Sequence, residues 1–226
     1  MALRLPDPKR QTPSLWHYLE AWSTPRAMPP WPTGAAWDQE LYPGAKHKAW
    51  GREELRELMA RRFGAEVSKA FDAPSMSGVR RALAVFCVLH EFGGLYCDAS
   101  VWPVSPWSVP NACGVAAFRA ANGIGWTAIG TRLLWSLPGR PELSRAISGL
   151  LQVGKDQSDG DGERAAEWVL GRAMASVMLE KGQAPESDGQ WVGESRTVST
   201  DGRVLNVAFV DPDQVLVGLW APLVGT

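Results

Sequence analysis

The stretch GGLYCDAS, Gly93 to Ser100, follows a run of helix-forming apolar residues and ends on a carboxylate, Asp98, with a hydroxyl two positions later. A carboxylate at the end of a strand is the right donor type for a hard divalent cation, and equally an acceptor for sugar or ribose hydroxyls. A second short strand, PSLWHY, brings His17 and Tyr18 to its own end. In open α/β sheets, ligands bind at the carboxyl ends of strands, and the reading places both His17 and Asp98 there. Just beyond Asp98, Trp102 and Trp107 flank prolines and carry flat indole faces suited to stacking on a sugar ring. They belong to a set of twelve tryptophans in 226 residues, a high count that fits carbohydrate handling as well as core filling.

Other clusters point elsewhere or nowhere. Cys87, Cys97 and Cys113 form an odd set without a CxxC pair, which reads as reduced thiols and neither a disulfide framework nor a zinc site. The acidic connector KDQSDGDGE, Lys155 to Glu163, lacks the register of a calcium loop and reads as an exposed loop. With 23 basic and 24 acidic residues and a net charge of −1, the chain predicts no polyanion-binding surface, so nucleic acid is not an expected partner. The longest clean apolar run, Ala82 to Leu89, is far too short to span a bilayer, and the first ten residues lack the apolar core of a signal peptide. The expectation is a soluble, cytoplasmic protein.

The elements that must position these groups are legible from spacing. Pro13 to Tyr18 predicts a strand, followed by a proline-rich loop over Ser23 to Thr33. A turn at Pro43 and Gly44 leads to a strand ending near Trp50. Leu55, Leu58, Met59 and Phe63 recur at helical spacing over Arg52 to Phe63. A second helix, Ser77 to Phe92, is apolar all round at its centre, which implies burial on every side. Gly93 and Gly94 end it and let the chain bend sharply into a strand over Leu95 to Asp98. Ile129 to Leu137 fits either a strand or a short helix, and VWPVSPWSVPN must be irregular or edge-like. Pro141 opens a helix to about Val153, Arg164 to Lys181 forms another, and strands at Val204 to Val210 and Gln214 to Leu219 close the chain. About 45% apolar residues suffice for one core, so the reading is an α/β single domain over residues 1–226, with a mostly parallel central sheet flanked by helices, residues 1–12 flexible and 154–163 an exposed loop.

The segment VLHEFGGLYCDASVWPVSPW resembles the core signature of DXD-type glycosyltransferases with the sugar-binding-region motif, among them fungal initiating mannosyltransferases and bacterial capsular polysaccharide transferases. The match falls on Leu89, Gly93, Gly94, Leu95, Tyr96, Asp98, Ala99 and Ser100. PSLWHY resembles the family's opening strand, PGAKHKAWGREELRELMARRF its second strand and helix, and LLWSLPGRPEL its later turn before a helix. The resemblance covers about residues 12 to 150.

It implies a GT-A-like fold and a nucleoside-diphosphate sugar donor, with transfer of a hexose to a glycan or small-molecule acceptor, retention of configuration, and a role in polysaccharide biosynthesis. Mn2+ or Mg2+ would neutralise the leaving diphosphate. On this resemblance Asp98 is the catalytic residue and metal ligand, Ser100 is a further ligand, and His17, Tyr18, Gly93, Gly94, Tyr96, Ser100 and Arg81 contact the donor; Asp211 or Asp213, by their place in a loop, are expected to supply the missing charge, Asp213 being taken as the metal ligand. The sequence departs from the pattern where an Asp and an Arg of the preceding helix become Ala82 and Val85, and where the second motif Asp becomes Ser100. Those departures keep open a divergent domain that binds a sugar nucleotide or glycan without turnover. A protein-binding domain built on the Trp and Pro loops is a third alternative.

Overall fold

The computed structural model describes residues 10–11, 14–19, 44–73, 77–98, 101–103, 109–110, 114–119, 129–153, 162–180, 207–210 and 216–219. In chain order the elements are β1 (Arg10–Gln11), β2 (Leu15–Leu19), β3 (Lys46–Trp50), α1 (Arg52–Arg62), α2 (Gly64–Asp72), α3 (Ser77–Phe92) and β4 (Gly94–Cys97). They continue as β5 (Val101–Pro103), β6 (Val109–Pro110), β7 (Val115–Arg119), β8 (Ile129–Ser136), α4 (Pro141–Val153), α5 (Gly162–Glu180), β9 (Val207–Val210) and β10 (Leu216–Leu219).

The main sheet has the order β3-β2-β4-β8-β7-β9. β2 pairs in parallel with β3 and β4, and β7 with β9, while β8 runs against both of its neighbours. Five of the six strands therefore point one way, which is the mostly parallel α/β sheet expected from the alternation of helices and strands. The segment that fitted either structure, Ile129 to Leu137, forms the reversed strand β8 over Ile129–Ser136; Thr131 and Leu133 to Ser136 are buried, so successive residues on both faces are covered and an apolar run marks it in place of a clean alternation. Among the described residues, the proline-rich stretch beyond Asp98 forms β5 and β6, which pair antiparallel outside the main sheet, with β10 and β1 respectively.

The central helix α3 explains its own composition. Leu83 to Leu89 are all at most 1% exposed. The helix packs on β4 and β8 while α1, α2, α4 and α5 close around it. A helix with no solvent face carries no polar stripe. Its neighbour α1 shows the opposite logic: Glu53 and Glu54 sit in its first turn, Arg61 and Arg62 in its last, and Leu55, Leu58 and Met59 face inward. The helix α2 was not anticipated. Gly64, at φ +85°, breaks the first helix, and Val67 and Phe71, one turn apart, pull a second short one onto the core.

Candidate functional site

Helix α3 runs down to Gly93 and β4 climbs back, so the start of the helix and the end of the strand share one edge. From Arg81 to Gly93 the helix rises roughly 18 Å; from Gly93 to Asp98 the strand returns about 16 Å. The two side chains therefore come level. Arg81 Nη1 donates to Asp98 Oδ2 at 2.6 Å, both side chains being 15% exposed. The adjacent Arg80 turns away and donates to the Ala73 carbonyl at 2.5 Å, and Ala82 and Val85 are buried in the core.

Tyr96 lies two residues before Asp98 and so on the same sheet face. Its hydroxyl donates to the same Oδ2 at 3.1 Å. Burial, then the nearby Asp98 charge, pushes the phenol well above its ordinary pKa of 10, so it remains a donor at neutral pH. The ladder continues one step past β4: Asp98 N–H donates to the Arg132 carbonyl at 2.8 Å. That cross-strand pairing puts the half-buried Arg132 on the face that carries Asp98. The sequence reading passed over Arg132, although a lone cation inside the apolar run of β8 was a visible signal.

The fold sets three of the residues expected to contact the donor, His17, Gly93 and Gly94, against protein partners. His17 does not stand at a strand end; it sits mid-strand opposite Tyr96 and is 1% exposed. Its Nε2–H donates to the Gly93 carbonyl at 2.7 Å and its Nδ1 accepts from Trp50 Nε1–H at 3.0 Å. Both ring nitrogens are thus committed to the protein, which makes the histidine a staple between β2, β3 and the α3–β4 bend. Burial lowers its pKa from 6.5 to about 4, partly opposed by the bond to Gly93.

Gly93 and Gly94 likewise face the protein. They adopt φ +64° and +97°, and a Cβ at Gly94 would lie 2.5 Å from the Leu15 carbonyl oxygen and 3.1 Å from His17 Nε2. At Gly93 it would lie 2.7 Å from Pro138 Cδ. The diglycine serves a tight bend and the close approach of β2, at the end of β4 opposite Asp98, about 13 Å away along the strand. Tyr18 alternates onto the other face, where its ring stacks with His47 at 6.1 Å. Ser100, Trp107 and Asp213 lie outside the described residues, as do the side chain of Trp102 and residues 154–161 of the loop expected over 154–163; Gly162 and Glu163 instead open α5.

The expected Mn2+ or Mg2+ can be tested against the donors present. Asp98 Oδ2 already carries a guanidinium and a phenol, and a divalent ion on that oxygen would be pressed against the Arg81 charge. Among the described residues no three Asp, Glu, His or Cys side chains gather as a metal-binding group. Asp98→Ala removes the acceptor of both Arg81 Nη1–H and the Tyr96 hydroxyl, at a cost of roughly 1–3 kcal/mol.

No protein-family model matches the chain, and no curated protein matches it. Among solved structures, PaToxG glycosyltransferase matches with a TM-score of 0.55 at 10% identity, over 75% of this chain and 71% of the other. The fold is thus one that a glycosyltransferase uses, with the Arg81–Asp98–Tyr96 group at the carboxyl edge of its sheet. No described helix is long and apolar enough to cross a membrane.

Proposed function

We propose that the chain transfers a hexose from a nucleoside-diphosphate sugar to a glycan or other hydroxyl acceptor. In the transfer, the bond from the anomeric carbon to the β-phosphate oxygen breaks and its electron pair leaves on the diphosphate. The acceptor oxygen bonds to that carbon, and the acceptor proton passes to a phosphate oxygen. Retention of configuration and a cytoplasmic setting remain part of this proposal. The observation that carries the reading is the polar group Arg81–Asp98–Tyr96 at the carboxyl edge of a mostly parallel sheet, where open α/β sheets bind ligands. Asp98, a carboxylate with about four acceptor sites, would orient donor hydroxyls while Arg81 faces the departing charge.

The test is release of nucleoside diphosphate from a panel of nucleoside-diphosphate sugars, with and without simple glycan acceptors. Turnover that falls in Arg81→Gln, assayed at a temperature where the variant is still fully folded, supports the reading; absence of both turnover and binding across the panel overturns it. A second reading, binding of a sugar nucleotide or glycan without turnover, is favoured by one observation: the motif carboxylate is already bonded to a protein cation. Tight binding with no product would select it.

A further inference from the structure

We propose that the Thr131 hydroxyl is a specificity contact for the donor, hydrogen-bonding a ribose or hexose hydroxyl of a sugar nucleotide held at the carboxyl edge of the sheet. The inference rests on the transferase reading above and deepens it. Its basis is a buried hydroxyl left unpaired among the described residues, set in a break of the sheet one residue from the strand pair that holds Asp98.

Among the described residues four polar or charged side chains are buried: His17, Thr131, Ser136 and Glu142. Three of them are satisfied within the protein. His17 bonds Gly93 and Trp50, Ser136 Oγ donates to the Leu137 carbonyl at 2.7 Å, and Glu142 accepts from Arg140 at both oxygens. Thr131, 2% exposed, is the exception: among the described residues its Oγ1 has no hydrogen-bond partner. Buried polar groups are normally paired, because a hydroxyl taken out of water without a replacement bond is costly. Valine has nearly the same shape, suits a strand as well and carries no such cost, so the fold itself has no use for this oxygen.

The location is a second, independent observation. β8 stays in register with β4 from Gly94↔Ser136 to Cys97↔Leu133, and the Asp98 N–H still reaches the Arg132 carbonyl. On its other side β8 pairs with β7 at Ala117↔Leu134 and next at Phe118↔Gly130. Between two consecutive residues of β7 the register therefore skips Thr131, Arg132 and Leu133. Bulges bend a strand and re-aim its side chains, and they gather beside active sites. Because these residues have no register partner on β7, a ligand oxygen can approach there without parting a ladder between the two strands. Strand spacing and rise put Thr131 Cα roughly 6 Å from Asp98 Cα. A hydroxyl both donates and accepts, so another hydroxyl suits it, and a sugar nucleotide offers hydroxyls on its ribose and its hexose. In a dehydrated setting such a bond discriminates strongly, since a ligand without the hydroxyl leaves the threonine unpaired.

The experiment is calorimetric titration of the full chain, Thr131→Val and Thr131→Ser with UDP, UDP-glucose, GDP and GDP-mannose, beside urea unfolding of all three proteins. Where affinity is too weak to titrate, KM on the sugar-nucleotide panel reads the same contrast. Thr131→Val should match or exceed the parent's urea midpoint, and should bind the best of these probes about ten- to a hundredfold more weakly. Thr131→Ser, which keeps the oxygen, should bind within about threefold of the parent. A loss already present with UDP or GDP assigns the contact to the ribose; a loss confined to UDP-glucose or GDP-mannose assigns it to the hexose. Parent-like affinity in Thr131→Val, or equal weakening in Thr131→Ser, overturns the inference and leaves the transferase reading standing. So does a urea midpoint lower in Thr131→Val than in Thr131→Ser, because that gives the hydroxyl a partner inside the protein. No binding of any probe by the parent chain, together with no turnover on the sugar-nucleotide panel, overturns both.

Discussion

Acidification should unlock the staple that joins β2, β3 and the α3–β4 bend. His17 is neutral in the fold because its Nδ1 must accept from Trp50 while its Nε2–H donates to Gly93. A second ring proton would set N–H against N–H at the indole. Burial accordingly lowers the pKa from 6.5 to about 4. With a depressed folded pKa, the unfolded chain takes up the proton first. Stability is undiminished above pH 6.5, falls as the pH drops towards 4, and levels off below that. Each pH unit inside the window removes up to about 1.4 kcal/mol, so the full loss from this one ring is about 3 kcal/mol. Urea unfolding across pH 4 to 7 should show the slope in the parent chain. The variant His17→Gln, less stable at neutral pH, should lack that part of it. Comparing the two removes the contributions of surface carboxylates and of His90, whose pKa is also lowered by burial. Parallel pH profiles for parent and variant would refute the reasoning.

Two further outcomes follow from packing. Gly94→Ala adds a methyl 2.5 Å from the Leu15 carbonyl at φ +97°, whereas Gly44→Ala meets nothing within 4 Å at φ +87°. Both carry a left-handed backbone penalty of about 1–2 kcal/mol, but only the first must also displace β2, so its loss of stability should exceed the second by at least about 1 kcal/mol; equal midpoints in urea would contradict this. Cys87 and Cys97 are buried, and burial raises the Cys87 thiol far above its ordinary pKa. Site-resolved mass spectrometry after treatment with an alkylating reagent should therefore find both unmodified until denaturant is added, and native-state labelling of Cys87 at the denatured rate would count against the buried placement.

Much of the scaffold was legible because local signals agree with it. Ser77 to Phe92 and Pro141 to Val153 begin and end where the spacing, the diglycine and the proline put them. The all-round apolar centre of α3 announced its burial, and five co-directional strands match the alternating pattern of elements. Helix α2 escaped notice because nine residues with two buried anchors make a weak periodic signal. Strand β8 was ambiguous because burial on both faces erases the alternation that marks strands.

At the site, residue types were readable and partners were not. Composition and spacing alone established that a lone carboxylate follows a glycine bend at the end of a strand, and that the helix before it is buried. Whether that carboxylate meets a metal, a sugar or an arginine depends on the match between a helix that rises about 1.5 Å per residue and a strand that climbs about 3.3 Å. That match brings Arg81 to Asp98 across 17 residues and His17 to Gly93 across 76. Such pairings are properties of packed layers, and no local pattern encodes them. The same holds for the seat that the glycines give β2: only the folded sheet puts the Leu15 carbonyl against Gly94.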